Sequence, residues 1–376
     1  MLDRTKTISK LNELAGTLFT DISSMVRYAY KLFGDSAQDD LFCQQAQTAD
    51  RAWNVPSWDG NLKSAIKITK PANPYTLIGV DGSQIYPDRH HGVSCFLINV
   101  GTVILRYGST SGRPARLSSD PYIYSGQESE NGNSIDMVNA LRQEYEFKAG
   151  IQATDAIRQS NCHSQMPSTV LMDGSLIFWY LESKGDTIRQ TFLDRYIALL
   201  GQYQQQNIPI ASYISAPKTR EISNIIRLRL ANFDIHAKDA YAAIDNVNDA
   251  SLCTHFLAPS ERTIVFASRA KITTHYPPAI RPHFFYINTG TEIGRIEIPA
   301  WIAHDKDLVD LIASTTFDQC SKGHGYPVVL AEAHEQAVVK GPDREFFFHL
   351  VHKKAMEQKG RYSISSKAVR KRTATM

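Results

Sequence analysis

The chain has 376 residues, 43% of them hydrophobic and 21% charged, with a formal net charge of +3. That balance describes a soluble globular protein of one large or two ordinary domains. No apolar run approaches the roughly 18–20 residues of a membrane span, and Asp3, Glu13 and Asp21 interrupt any apolar core of a signal peptide, so a cytoplasmic location is expected. Cys43, Cys95, Cys162, Cys253 and Cys320 are scattered and form no C-x-x-C pair, which fits reduced thiols better than a disulfide framework or a zinc site. The charge is uneven: from Lys353 onward eight basic residues face one acidic residue, Glu357. Such a tail is either a phosphate-binding arm or a solvated end that touches nothing.

In chain order, residues 8–33 read as one helix. Leu11, Ala15, Leu18, Ile22, Met25, Ala29 and Leu32 form an apolar seam, which either packs on the chain's own core or pairs two subunits. Residues 34–74 are polar and turn-rich and read as an irregular connection. Tyr75–Val80 is a short apolar strand ending at Asp81-Gly82-Ser83. Val93–Val100 and Thr102–Tyr107 then read as a hairpin turning at Gly101, followed by a loop through Pro114 and Pro121. A helix is expected at 134–159, a strand at Thr169–Met172 ending at Asp173-Gly174-Ser175, a helix at about 186–205 and a strand at Ile208–Ile214. Further helices are expected at about 219–231, 304–321, 328–338 and 343–358, with a β-hairpin at 281–298. The first three strands can form an antiparallel meander, and the later two need helical crossovers and add in parallel. The fold class is therefore α/β, a mixed five-stranded sheet with flanking helices, an N-terminal helix and C-terminal helical and hairpin additions. Three regions follow: 1–74 as helix and connection, 75–340 as the functional domain, and 341–376 as a last helix and basic tail.

Asp81 and Asp173 each follow a hydrophobic strand and precede Gly-Ser. A carboxylate at a strand end projects from the rim of the sheet, while the glycine lets backbone or substrate come close. Two carboxylates delivered this way suit a divalent cation, since hard cations take oxygen ligands; Asp-Gly is also a common turn signal. A third acid is available on the helix at 134–159. At roughly 100° per residue, Glu146 flanks the apolar stripe through Ile135, Val138, Tyr145, Ala149, Ala153 and Ala156. Glu144 lies nearer the opposite side with Lys148 and is the fallback. His334 lies in a helical pattern after Tyr326-Pro327 and can bind a metal or orient a water. Lys218 follows Ser215-Ala216-Pro217 near an expected helix N-terminus, where anions are favoured. No P-loop, dinucleotide fingerprint or G-x-S-x-G elbow is present.

Taken together, these motifs resemble the NurA family. Gly79-Val80-Asp81-Gly82-Ser83-Gln84 resembles its opening motif, Arg142-Gln143-Glu144-Tyr145-Glu146 its helical glutamate, and Leu171-Met172-Asp173-Gly174-Ser175-Leu176 its third motif. Tyr326-Pro327 with Glu332-Ala333-His334 resembles its last, and Phe284-Phe285-Tyr286 with Arg295-Ile296-Glu297-Ile298-Pro299-Ala300-Trp301 its late hairpin. The resemblance implies an RNase H-like, manganese-dependent nuclease, with magnesium as an alternative ion, that forms homodimers. It also implies digestion of DNA ends, chiefly 5′ to 3′, cutting within single strands, and work beside a hexameric HerA-type ATPase in end resection or phage defence.

On that reading two metals about 3.5–4 Å apart hydrolyse the phosphodiester. Asp81 bridges them, Glu146 and Asp173 complete their shells, and His334 is a further ligand or orients the water. Tyr326 orients His334 or stacks on a terminal base, and Lys218 and Arg295 are weaker candidates for phosphate contact. Two other classes stay open: a DNA- or motor-binding partner without chemistry, and another RNase H-like nuclease acting on RNA or branched DNA.

Overall fold

In the computed structural model the described residues are 2–18, 21–71, 74–88, 95–108, 115–125, 135–159 and 167–357. The tail beyond residue 357, Cys162, Val93 and Pro114 lie outside them. Helices α1 (Arg4–Leu18), α2 (Ser23–Ala37) and α3 (Asp40–Thr48) precede strands β1 (Ser57–Trp58), β2 (Ile66–Lys67), β3 (Tyr75–Ile85), β4 (Cys95–Tyr107) and β5 (Ala115–Ser125). Helix α4 (Ile135–Gln159) leads to β6 (Ser168–Asp173), α5 (Trp179–Glu182), α6 (Asp186–Gln205), β7 (Ile210–Ile214), α7 (Ser223–Leu230) and α8 (Asp249–Cys253). Strands β8 (Glu261–Arg262), β9 (Phe266–Ala267), β10 (Pro282–Asn288) and β11 (Ile293–Pro299) come before α9 (Ala300–Ala303), α10 (Lys306–Lys322), α11 (Val328–Ala337) and α12 (Gly341–Glu357). Among the described residues no helix is long and apolar enough to cross a membrane.

Strands β3, β4 and β5 form the antiparallel meander. Strand β6 joins β3 in parallel, and β7 joins β6 in parallel. The order β5-β4-β3-β6-β7 is the expected RNase H-like core. The late hairpin, β10–β11, is not a separate addition: β11 pairs antiparallel with β7 and carries the same sheet onward through β10, β9 and β1. Apolar side chains from both faces of this sheet fill the main core, among them Leu77, Ile78, Val103, Val170, Leu171 and Ile296.

Several details differ from the sequence reading. Strand β4 runs straight through Gly101 instead of turning there. A Cβ at Gly101 would come within 2.3 Å of the Ala333 carbonyl oxygen, so this glycine serves close approach of α11, not a bend. The third strand of the meander is therefore β5, in the stretch expected to be a loop. Pro121 is tolerated in it because β5 is the edge of the sheet, where a missing N–H leaves no ladder partner stranded. Strand β3 continues past Asp81 to Ile85, so that acid lies within a strand and not at its end.

The expected helix over 8–33 is two helices. Asp21 accepts the Ser23 N–H at 2.8 Å, a helix-start signal inside the apolar seam. The two halves of the seam also differ in fate: Leu11 of α1 is exposed, whereas Ala29 of α2 is buried and Ile22, Met25 and Leu32 are partly buried, with the neighbouring Val26 and Phe33 buried too. The connection at 34–74 contains α3, whose N-cap Asp39 accepts from the Phe42 N–H at 3.0 Å, and the short strands β1 and β2.

Candidate active site

Side chains alternate along β3. Gly79, Asp81 and Ser83 face α11, while Gly82 faces α4. On the first face, Gly79 and Gly101 let α11 lie directly on the sheet backbone: added Cβ atoms would stand 2.3 Å from the Val329 and Ala333 carbonyl oxygens. The end of α11 is tied down where the Ala337 carbonyl accepts from Ser83 Oγ at 2.5 Å and Asn99 Nδ2 at 2.8 Å. This seat places His334 Nδ1 2.8 Å from Asp81 Oδ2. A carboxylate only accepts, so Nδ1 donates the proton in this bond and Nε2 points away from Asp81. The other Asp81 oxygen accepts the Gly82 N–H at 2.8 Å.

On the second face, the missing side chain of Gly82 makes room for α4. A Cβ there would meet Glu146 Oε1 at 2.5 Å and Arg142 Cγ at 2.7 Å. Arg142 Nη1 donates to the Gly82 carbonyl at 3.1 Å, and its Nε lies 3.3 Å from Glu146 Oε1. Glu146 is buried, and loss of water pushes its pKa up to about 8; Arg142 opposes this, and the charges of Asp81 and Asp173 add to it. Glu144 is buried as well but is engaged elsewhere, by Lys148 Nζ at 2.6 Å and Arg195 Nη1 at 3.1 Å. Of the two glutamates, Glu146 is the one gathered with the aspartates.

Asp173 ends β6 and is exposed there. Its pKa is nevertheless raised, by desolvation first and the charge of Asp81 second, against hydrogen bonds from the Tyr326 hydroxyl and the Gly174 N–H and the nearby charge of His334. Tyr326, expected to orient His334 or stack on a base, has its hydroxyl on the Asp173 side, where it favours the ionised carboxylate, and its ring packs edge-on against Tyr213 with centroids 5.7 Å apart.

Among the described residues no three His, Cys, Asp or Glu side chains already converge on one point as around an ion. The acids are gathered but not closed into a shell. The donor set itself, three carboxylates that repel one another and one imidazole, fits a hard divalent cation.

Two expected phosphate contacts need correction. Arg295 is fully buried, paired with Glu221 Oε2 at 2.6 Å and Glu297 Oε1 at 2.8 Å, and stacked 3.8 Å from the Phe284 ring centroid. It is a core residue and cannot reach substrate. Lys218 is exposed, but α7 starts only at Ser223, so no helix N-terminus lies beside it. The sequence reading assigned no role to Arg142, Ser83 or Asn99 and missed the clearance role of Gly79 and Gly101; Gly82, expected to let backbone or substrate come close, gives room to side chains of α4. Glycines on neighbouring strands, Gly79 on β3 and Gly101 on β4, were the available signal of a closely seated helix.

A mixed sheet thus carries Asp81 and Asp173 on its central strands, with Glu146 on the helix packed against them. A model of the NurA domain matches residues 75–339, more than half of the chain and every acid of this site, and the chain belongs to the NurA family, a family of nucleases. No curated protein matches. Among solved structures, Drosophila Piwi is similar at 12% identity over 72% of this chain and 30% of that one, with a TM-score of 0.31. The prototype foamy virus protease-reverse transcriptase is similar at 16% identity over 47% of this chain and 21% of that one, with a TM-score of 0.21. The chain thus spans under a third of the length of either protein, and at such scores neither likeness bears on function.

Proposed function

We propose that the protein is a divalent-metal-dependent deoxyribonuclease, with Asp81, Glu146 and Asp173 as acidic ligands and His334 beside them. The observation that carries this reading is the burial of a carboxylate within range of two others. Glu146 has lost its water beside Arg142, with the charges of Asp81 and Asp173 adding to the cost of ionising it, and oxygen-preferring Mn2+ or Mg2+ would offset that cost. Two such ions, when bound, supply Lewis acidity at the scissile phosphate and acidify the attacking water. The chain's own groups do the rest. The Tyr326 hydroxyl orients Asp173 and favours its ionised form. Asp81 fixes the tautomer of His334, so that Nε2 can take up a proton or return one at the leaving oxygen. Lys218, exposed just past the end of β7, is available to a phosphate.

The finer reading, DNA ends digested 5′ to 3′ with cutting inside single strands, a HerA-type hexameric ATPase as motor, and a homodimer, rests on family membership. The exposed apolar residues Ile8, Leu11 and Leu14 of α1 support a surface for a second subunit or the motor.

The test is digestion of 5′- and 3′-labelled duplex DNA, single-stranded DNA and RNA with manganese, magnesium or EDTA, alongside Asp81→Asn. Manganese-dependent cleavage of DNA by the wild type alone is expected. Undiminished cleavage by folded Asp81→Asn, or cleavage that survives EDTA, sinks the assignment.

A further inference from the structure

We infer that Glu297, a buried acid outside the gathered cluster, is a positioning residue for Asp173. This rests on the metal-site reading above. Glu297 lies on β11 opposite Ser212 of β7, which stands opposite Met172 of β6, the residue before Asp173. Its side chain is fully buried. One oxygen, Oε1, is held by Arg295 Nε at 2.8 Å. The other, Oε2, accepts from Ser175 Oγ at 2.7 Å, the Leu176 N–H at 2.8 Å and the Ile177 N–H at 3.3 Å.

Three donors from the segment that follows Asp173-Gly174 therefore meet on one carboxylate oxygen. Gly174 adopts φ +99°, so the chain turns sharply there. Glu297 holds the far side of that turn. Buried N–H groups need acceptors, and a charged acceptor binds them more strongly than a neutral one. Because Oε1 is fixed by Arg295, the position of Oε2, and with it the turn, is set by the ion pair.

The same ion pair supplies its own control. Glu221 also pairs with Arg295, at 2.6 Å, but its hydrogen bond runs to Ser268 Oγ at 2.7 Å and not to the turn. Glu297→Gln and Glu221→Gln both disturb the guanidinium; only the first releases residues 175–177.

The experiment measures Mn2+ affinity, amide exchange at Leu176 and Ile177, and thermal unfolding in the full-length protein. Glu297→Gln is expected to weaken Mn2+ binding by about tenfold or more, as loss of an outer-shell partner does, and to speed exchange at both amides. Glu221→Gln is expected to lower the unfolding temperature comparably, with Mn2+ affinity within about twofold of wild type. Equal changes in Mn2+ affinity in the two variants overturn the proposal. If Glu297→Gln does not fold, Ser175→Ala removes one donor and leaves the ion pair; it should weaken Mn2+ binding by about threefold or more, and unchanged affinity overturns the proposal. A wild type that takes up no Mn2+ defeats the metal reading instead. The role of Glu297 is then decided by exchange alone, and equal rates in Glu297→Gln and Glu221→Gln overturn it.

Discussion

Gly101 on β4 stands directly opposite Asp81 on β3, and the pair serves one arrangement: the glycine seats α11, and the aspartate receives the histidine that α11 carries. Gly101→Ala places a Cβ 2.3 Å from the Ala333 carbonyl oxygen and 2.5 Å from the Ala337 nitrogen, both backbone atoms, so the helix must lift. A cost of about 1–3 kcal/mol is expected, read as a lower unfolding temperature. Cleavage should fall further than the folded fraction, because His334 leaves Asp81. Wild-type stability together with wild-type cleavage would show that α11 does not need this seat.

Glu146 makes the metal-free protein sensitive to pH. Burial pushes its pKa up to about 8 from an ordinary value of 4.5. Between those values the folded state holds a proton that the unfolded chain has released, so stability is highest below the window and falls as pH rises through it, by on the order of 1 kcal/mol per pH unit. The raised pKa of Asp173 acts in the same direction. In EDTA, unfolding temperatures measured from pH 5 to above about 8 should decline for the wild type and flatten for Glu146→Gln. Added manganese should oppose the decline, since the ion favours the carboxylate. The same slope in both proteins would remove Glu146 as its source.

Tyr326→Phe removes one hydroxyl and keeps the ring against Tyr213. A stability loss of only about 1 kcal/mol is expected. Asp173 then loses a donor that favours its ionised form, so half-maximal activity should need about tenfold more manganese, with the maximal rate largely recovered at saturation. A rate that excess metal cannot restore would instead place Tyr326 in contact with substrate.

Arg295 and Lys218 should behave as opposites. Arg295→Met strands Glu221 and Glu297 in the core and should cost about 3–5 kcal/mol, seen as loss of folded protein. Lys218→Ala should leave the unfolding temperature unchanged, weaken DNA binding and lower the salt dependence of that binding by about one phosphate contact. An unaltered salt slope would remove Lys218 from the DNA path.

Much of this was legible in the sequence because strong periodicity and motif order survive folding. Helix α6 falls on the expected 186–205, and Glu146 lies within range of the charges of Asp81 and Asp173. Glycine was the main source of error. At Gly101 it was read as a turn, since local sequence cannot separate a bend from a close approach by a helix more than 230 residues later. Pro121 misled similarly, because an edge position depends on the whole sheet order. Arg295 looked like a phosphate ligand because its two acid partners come from β11 itself and from a segment before α7, a pairing only the fold reveals.

The bond between Asp81 and His334 spans 253 residues of sequence. At a synthesis rate of about 5–20 residues per second, roughly 13–50 s separate the emergence of the two side chains from the ribosome. Strands β3 and β4 can pair in that interval, but α11 has yet to reach its glycine seat. A growing chain therefore carries Asp81 without its histidine, and the complete constellation exists only once α11 has been made.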